Sequence, residues 1–223
     1  GVRLIGGDTV RSPGGLMLAG TLLGEVEPGR AWLRSGAKSG DWFFVTGPLG
    51  GSAAGLHALL HPETAAAWER AGLGQRDVLV RMHRYPEPQI EAGRVMAALP
   101  VRGALNDVSD GLASEAWEIA EASGVQICLD AAAIPIARAV REFARYCGQD
   151  PIQWALSGGE DFQLAGTVSP AYWDALSTAF RQKGLTVYRC GEVSEGTGVC
   201  LRREDGSIVP LAKSGYNHFA EIK

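Results

Sequence analysis

Residues 41–56 read DWFFVTGPLGGSAAGL, an aromatic and β-branched run that is followed by a glycine-proline break and then by a helix-forming segment. The first part, residues 41–46, predicts a strand, because such side chains pack well on a pleated sheet. The break at residues 47–51 ends that strand. Ser52 is a suitable N-cap for a helix that extends to about Leu60. This stretch therefore predicts a strand, a turn and a helix in succession.

The same alternation continues on both sides of this stretch. Helices are predicted where apolar residues share one helical face, as Leu112, Ala116 and Ile119 do. The predicted strands are 16–26, 31–33, 101–108, 125–129, 161–168 and 185–193, followed by a hairpin of 199–202 and 207–210. The predicted helices are 62–71, 75–84, 89–98, 111–123, 137–146 and 171–183. This order predicts a mixed α/β fold.

Composition narrows the class of protein. The 223 residues are enough for one large or two small domains, and the apolar fraction of 46% is typical of globular chains. A net charge of −4 argues against nonspecific binding of nucleic acid, although an acidic site still holds polyphosphate through divalent cations. No apolar run approaches the roughly 20 residues that span a membrane. The four cysteines form no C-x-x-C pair and predict reduced thiols in a cytoplasmic protein.

Three acidic, glycine-flanked motifs are candidates for chemistry. They are 6–9 (GGDT), 106–112 (NDVSDGL) and 156–161 (LSGGED), and each follows a predicted apolar element. Loop carboxylates suit a hard cation, and paired glycines let backbone N–H groups approach phosphate oxygens. Each motif also has a simpler explanation. The first and third are ordinary tight turns, and Ser109 or Asp110 is a good cap for the following helix.

Histidine and tyrosine offer weaker candidates. His57 and His61 lie four residues apart on a predicted helix, a spacing that suits a metal but is more commonly that of two surface histidines. Tyr216, in SGYNHF, is either a stacking platform for an aromatic ring or an anchor of the C-terminal tail. No G-x-S-x-G or Walker sequence is present.

Taken together and in order, these motifs resemble the thiamine-monophosphate kinases, a family in the superfamily that also contains aminoimidazole ribonucleotide synthetase and selenophosphate synthetase. The resemblance spans nearly the whole chain. The matching stretches are 4–11 (LIGGDTVR), 33–40 (LRSGAKSG), 41–56 (DWFFVTGPLGGSAAGL), 83–88 (HRYPEP), 106–112 (NDVSDGL), 154–164 (WALSGGEDFQL) and 215–219 (GYNHF).

The resemblance implies ATP-dependent phosphorylation of thiamine monophosphate and assigns residues to it. The residues implied in ATP binding are Gly7, Asp8, Arg34 and Ser109. The implied Mg²⁺ ligands are Asp8, Asp107 and Asp110. The implied contacts to the thiamine moiety are Glu160 and, by stacking, Tyr216. No general base is expected, because the acceptor phosphate is already largely ionised at pH 7.

The resemblance also implies a two-lobe, synthetase-like architecture. Residues 1–34 would be the remainder of an N-terminal lobe that binds ATP and Mg²⁺ and pairs into a homodimer, and residues 35–223 would form a complete C-terminal lobe. Nothing here matches the family's earlier aspartate-rich loops. We therefore expect a truncated chain with little or no kinase activity by itself.

The chain departs from the family pattern at several positions. Gly51 stands where the family usually has aspartate, Gln89 where it has arginine, and Gln163 where it has glutamate; Phe162 replaces tyrosine and Asn217 replaces aspartate. None of these positions is an implied ligand. Two alternatives remain: a purine-pathway synthetase of the same superfamily, and a noncatalytic binding module that keeps the fold.

Overall fold

The computed structural model describes residues 2–213, in which residues 37–210 form one packed α/β body. The preceding residues 2–32 contain no helix or strand. The strand predicted at 16–26 is therefore wrong. Its apolar side chains are exposed (Leu16 by 89%, Leu22 by 82%), because no described strand lies beside them to bury one face. The short strand predicted at 31–33 is reduced to one parallel bridge between Leu33 and Ala104.

A seven-stranded mixed sheet organises the described chain, in the order β2-β4-β1-β5-β3-β6-β7. Only the pair β3–β6 is parallel; the other neighbours are antiparallel. The strands are β1 (Trp42–Val45), β2 (Leu105–Asp107), β3 (Gln126–Asp130), β4 (Leu164–Val168), β5 (Tyr188–Ser194), β6 (Gly198–Arg202) and β7 (Ile208–Pro210). The predicted α/β class and the final hairpin β6–β7 are thus confirmed.

Eight α-helices cover this sheet within the described residues. They are α1 (Gly51–Leu60), α2 (Pro62–Arg70), α3 (Arg76–Arg84), α4 (Ile90–Ala98), α5 (Leu112–Ser123), α6 (Arg138–Tyr146), α7 (Pro151–Ser157) and α8 (Trp173–Gln182). Short 3₁₀ turns occupy Arg34–Gly36 and Pro170–Tyr172. None of the helices that the structure describes is both long and apolar enough to cross a membrane.

Adjacent residues of β1 face opposite sides of the sheet and supply two cores. Phe43, fully buried, packs in the larger cluster with α1, α3, α5 and α6. Phe44, also fully buried, packs on the other face with Met96 of α4 and Phe180 of α8. This alternation follows from the two-residue repeat of a strand, and it explains why β1 is apolar at both positions.

Two predicted strands are shorter than the sequence indicates. Only residues 105–107 of 101–108 join the sheet, because the Ala104 N–H bonds to the Thr167 hydroxyl at 3.1 Å instead of to a ladder. Residues 161–163 precede β4 as a loop, in which Phe162 has a φ of 48° that no strand allows. These two shortened strands leave their neighbouring residues free to build one connected loop region.

Helix α7 was not predicted, and Ser52 does not have the capping role expected of it. Helix α7 has only seven residues and no clear apolar period, although Asp150 caps it by accepting the Ile152 N–H at 2.9 Å. At the start of α1 the N-cap residue is Gly50, which offers no side chain. The Asp161 carboxylate, from a distant loop, caps this helix instead.

Candidate active site

The second and third acidic motifs meet across one set of backbone hydrogen bonds. The Glu160 N–H donates to the Ser109 carbonyl at 2.8 Å, and the Phe162 N–H donates to the Val108 carbonyl at 2.9 Å. In the other direction, the Val108 N–H donates to the Gln163 carbonyl at 2.7 Å. The loop after β2 and the loop after α7 therefore form a single unit at the ends of β2 and β4.

Close approach and unusual backbone geometry hold this unit together. A Cβ on Gly159 would collide with the Ser109 carbonyl oxygen, so the contact between the two loops requires glycine there. Glu160 and Phe162 have φ values of 64° and 48°. Left-handed conformations of non-glycine residues cost about 1–3 kcal/mol each and persist at functional sites where the surrounding structure enforces them.

A cavity of about 630 Å³ opens beside these loops. Its wall combines both motifs with helices α1 and α3; the lining residues that bear polar side chains are Ser52, His83, Ser109, Asp110, Ser157 and Glu160. The side chain of Glu160 is 60% exposed, so its carboxylate is available to a ligand. Two of the predicted ligand contacts, Ser109 and Glu160, therefore share one cavity with the predicted metal ligand Asp110.

Four acidic residues gather where β2 runs into α5. Asp107 is exposed and Asp110 is half-buried, whereas Glu115 of α5 is only 2% exposed. Burial raises the pKa of the Glu115 carboxyl to about 7, and the charges of Glu118, Asp107 and Asp110 act in the same direction. The Asp110 N–H donates to Glu115 at 3.1 Å and opposes this shift. Glu115, which the sequence analysis missed, thus holds the Asp107–Asp110 loop through its buried carboxyl, which accepts the Asp110 N–H.

Arg34 lies next to this acidic group. Its Nε donates to the Asn106 side-chain oxygen at 3.0 Å and lies 3.1 Å from a carboxylate oxygen of Glu118. The Asn106 amide also donates to Glu118 at 3.0 Å and to the carboxylate of Glu115. Arg34 therefore bonds to Asn106, the residue that precedes Asp107, and 56% of its side chain is exposed.

Asp161 connects the site loops to helix α1. Its carboxylate accepts the Gly50 N–H at 2.6 Å and the Ser52 N–H at 3.0 Å, two of the donors at the start of α1 that have no partner within the helix. Burial raises the pKa of the Asp161 carboxyl to about 6, although these N–H groups lower it in part. Sequence reasoning treated Asp161 only as part of a turn, because a cap 109 residues away in the chain has no local signal.

The first acidic motif stays apart from the other two. Gly7 and Asp8 lie in the exposed residues 2–32, and the only side-chain bond of Asp8 in the described chain is from the adjacent Thr9 N–H at 2.7 Å. Between residues 2 and 213 there is no group of three or more metal-binding side chains in ligating geometry. The oxygen donors of Asp107 and Asp110 still match the chemistry that Mg²⁺ prefers. Tyr216 lies outside the described residues.

Three of the departures from the family pattern lie together in a second cavity. Gly51, Gln89 and Gln163 all line a space of about 350 Å³ between α1, α3 and the Asp161 loop, with Met82 and Leu49 as its apolar floor. The family pattern would place two acids and one base at these three positions. With uncharged residues at these three positions, the charged groups that line this cavity are Arg81, Glu87 and the buried Asp161.

Comparisons with known proteins show the family to which this chain belongs. Residues 38–202 match the family described as AIR synthase related protein, C-terminal domain. The thiamine-monophosphate kinase of Bacillus subtilis is 42% identical over 221 residues, which are 97% of this chain and 64% of the relative. The thiamine-monophosphate kinase of Escherichia coli is 38% identical over 98% of this chain and 64% of the relative. This chain therefore spans slightly less than two thirds of the relatives it matches.

Solved structures show the same fold. The structure of AaThiL complexed with AMPPCP and TMP has a TM-score of 0.67 at 30% identity, covering 83% of this chain and 53% of that one. The thiamine-monophosphate kinase of Stenotrophomonas maltophilia has a TM-score of 0.65 at 30% identity, over 80% and 54% of the two chains. The hydrogenase maturation protein HypE of E. coli, at 20% identity and a TM-score of 0.61, shares the fold alone.

Proposed function

Because this chain belongs to the AIR synthase related proteins, as the C-terminal domain of that family, we propose that it is part of an ATP-dependent kinase of thiamine monophosphate. The observation that carries the proposal is the single cavity onto which Ser109, Asp110 and Glu160 all open. The relatives named thiamine-monophosphate kinase support the choice of substrate, as does the solved complex of AaThiL with AMPPCP and TMP.

Charge explains how such a cavity would bind the cationic part of one substrate and the phosphates of both. The thiazolium ring of thiamine is cationic, and the exposed carboxylate of Glu160 offers it an anionic partner. The acceptor phosphate is an anion already and needs no base, so the task of the protein is to position two polyanions in line. Arg34, beside the acidic loop, supplies a positive charge for the nucleotide phosphates.

Mg²⁺ would be held by Asp107 and Asp110, with Asp8 contributed by the N-terminal segment. When bound, the ion neutralises phosphate charge, which carboxylates alone would repel. Gly7 would contact ATP next to Asp8, and Tyr216 would stack on the thiamine moiety. The division into a lobe remainder (1–34) and a C-terminal lobe (35–223), the homodimer and the cytoplasmic location stay predictions of the family resemblance.

Calorimetric titration with thiamine monophosphate tests this proposal, with and without Mg²⁺ and a nonhydrolysable ATP analogue. We expect binding that Mg²⁺-nucleotide strengthens, and a loss of about tenfold in affinity in Glu160→Gln, as for a charge-assisted contact. Glu195→Gln, an exposed change in the β5–β6 turn, is the matched control. Binding of an aminoimidazole precursor in place of thiamine monophosphate would reassign the cavity to a purine-pathway reaction.

A turnover assay on the same chain addresses the second part of the proposal. Asp8 lies apart from Asp107 and Asp110 in the structure. We therefore expect this chain to form thiamine diphosphate from ATP at least about a hundredfold more slowly than the full-length relatives do. Losing a group that stabilises charge or positions the substrates typically lowers a rate by that much or more. A normal rate from residues 1–223 would show that the three predicted metal ligands assemble without any further segment.

A further inference from the structure

We propose that His83 is a positioning residue that controls how strongly Glu160 attracts the cationic part of the substrate. The inference rests on the proposed function in one respect, namely that Glu160 faces a cation. It adds a residue from helix α3 that the acidic motifs do not contain. In its neutral form His83 leaves the Glu160 carboxylate free, and in its protonated form it competes with the substrate cation for that carboxylate.

The contacts around His83 are specific. Its Nδ1 lies 2.9 Å from the Ser52 hydroxyl oxygen and 3.7 Å from a carboxylate oxygen of Glu160. The His83 side chain is 20% exposed, whereas that of Glu160 is 60% exposed, and all three residues line the same cavity. The imidazole therefore stands between a fixed hydroxyl and a carboxylate that a ligand can reach.

Helix packing fixes the imidazole while Glu160 is held on a loop. Helices α1 and α3 cross so closely at Gly55 that a Cβ there would lie 2.7 Å from the Cβ of His83. The Glu160 backbone, with its φ of 64°, is set by the hydrogen bond to Ser109. Neither partner needs a large rearrangement to form or release the ion pair.

The hydrogen-bond chemistry of Ser52 suits both charge states of the ring. A neutral imidazole with its proton on Nε2 accepts the Ser52 hydroxyl at Nδ1. A protonated imidazole carries hydrogens on both nitrogens, so Nδ1–H donates to the Ser52 oxygen or to Glu160. A lower pH always favours the protonated ring over the neutral one, so binding measured at two pH values compares the two forms.

The groups near this ring come from several elements. Asp110 lines the same cavity and adds negative charge, and helix α1 contributes the neutral Ser52. On α3 itself, Arg84 follows His83 directly in the last turn. The ring of His57, on α1, has its centroid 4.2 Å from that of His61, which follows the helix, and it also lies close to Phe143 and Trp154. Helix α2 meets α3 at its far end, where Glu69 accepts the Arg76 N–H.

The first measurement needs no ligand. An NMR titration follows the His83 ring in the full chain and in Glu160→Gln, with Glu195→Gln as the control. We expect the ring to protonate at lower pH in Glu160→Gln than in the other two proteins, since the neighbouring carboxylate favours the imidazolium. Identical curves in all three proteins would overturn the proposal.

The second measurement uses two probes at pH 5.5 and 7.5. These are thiamine monophosphate and an analogue whose thiazolium is replaced by an uncharged thiophene, which carries the same titrating phosphate. We expect affinity for the cationic probe to fall about threefold more than that of the analogue at the lower pH, as for a half-exposed ion pair. His83→Gln removes this difference, and His61→Gln, between α1 and α2, keeps it. A difference that survives His83→Gln would overturn the proposal.

The two readouts separate this inference from the proposed function. Suppose that the His83 titration differs between the wild type and Glu160→Gln but neither probe binds. That result would refute thiamine monophosphate as the substrate and His83 as a residue that selects it, although the charge coupling between His83 and Glu160 would stand. Binding of thiamine monophosphate with an equal pH response for both probes would leave the proposed function intact and refute His83 as a specificity residue.

Discussion

Single residues hold this site in place by acting across long stretches of chain. Asp161 is the clearest example, because its carboxylate sits at the N-terminus of α1 and is only 8% exposed. A buried carboxylate is costly to ionise, but the free N–H groups of the helix offset part of that cost. The raised pKa of about 6 records the balance between these two effects.

The first prediction concerns the pH dependence of stability. In the folded protein Asp161 keeps its proton to a pKa of about 6, whereas the ordinary value is 3.8. The stability that the protonated group contributes is therefore fully present below pH 3.8 and is lost as the pH rises through 6. From pH 4 to 7, the unfolding free energy of the wild type should fall by on the order of 2 kcal/mol relative to Asp161→Asn.

Chemical denaturation at a series of pH values measures that difference. Asp174→Asn is the matched control, because Asp174 also lies in the first turn of a helix but is exposed. Parallel pH profiles for the wild type and Asp161→Asn would show that the carboxyl has the same pKa in the folded and unfolded states, against this prediction.

The second prediction uses the strained backbone of Glu160. Glycine adopts a φ of 64° without steric cost, so Glu160→Gly should raise the free energy of unfolding by about 0.5–1 kcal/mol. The same change removes the proposed partner of the thiamine cation and should weaken binding of thiamine monophosphate about tenfold, as Glu160→Gln does. Thermal unfolding and calorimetry on one protein preparation check both effects. A less stable variant would mean that the side-chain contact to His83 outweighs the strain.

At the scale of elements, the site depends on how closely α1 and α3 pack. Helix α1 carries Ser52 to the cavity and α3 carries His83, and Gly55 is the point at which the two helices touch. A Cβ on Gly55 would collide with the Leu79 carbonyl oxygen. Backbone cannot move aside as a flexible side chain does, so the helices would have to separate.

The third prediction follows from that contact. Gly55→Ala should destabilise the protein by about 2–3 kcal/mol, although alanine is the better helix former. Gly93→Ala, in α4, is the control, because its Cβ would meet nothing within 4 Å and should stabilise by about 0.5–1 kcal/mol. Urea denaturation of the two variants measures both values. Equal stability of the two would show that α1 and α3 tolerate a wider spacing.

Elements were predictable from the sequence where local chemistry decides them. Strand β1 follows from its aromatic run, α5 from its apolar face, and the β6–β7 hairpin from Asp205-Gly206. Helix α7 was not predicted, because seven residues are too few to show the helical period of apolar side chains. The strand predicted at 16–26 failed, because apolar alternation forms a strand only when a neighbouring strand is available.

The two acidic motifs of the candidate site were predictable from the sequence, but the residues that support them were not. The motifs at 106–112 and 156–161 were recognised separately, and the structure joins them. Asp161 and His83 act through contacts between distant segments, for which sequence spacing has no signal. Glu115 contacts residues only five and nine positions away, but its burial beneath the loop is set by the fold. The proposed roles of Gly7, Asp8 and Arg34 as ATP contacts remain predictions of the family resemblance.

At the scale of the whole molecule, the packed body and the N-terminal segment differ sharply. Residues 2–32 expose nearly all their apolar side chains, and Leu4 is 93% exposed. Their contacts to the body are few, such as the Arg30 side chain on the Ala97 carbonyl at 3.2 Å. Such a segment contributes little to the stability of the sheet.

The fourth prediction is that brief trypsin treatment cuts at Arg11 before any site within residues 37–210. The remaining body should unfold within about 1 °C of the intact chain, because no element of the sheet is lost. Mass spectrometry identifies the cut, and calorimetry compares the two melting temperatures. A large loss of stability after the cut would mean that the segment packs on the body in solution.

The position of β1 in the sheet has a consequence for synthesis of the chain. Trp42 pairs with Val168 on one side and with Glu192 on the other, so this interior strand receives both neighbours only from the last third of the chain. A nascent chain that has left the ribosome only as far as α6 therefore holds an aromatic strand with two open edges. Its folding is delayed until β5 emerges, which makes the interval between α6 and β5 the period in which chaperones would be most needed.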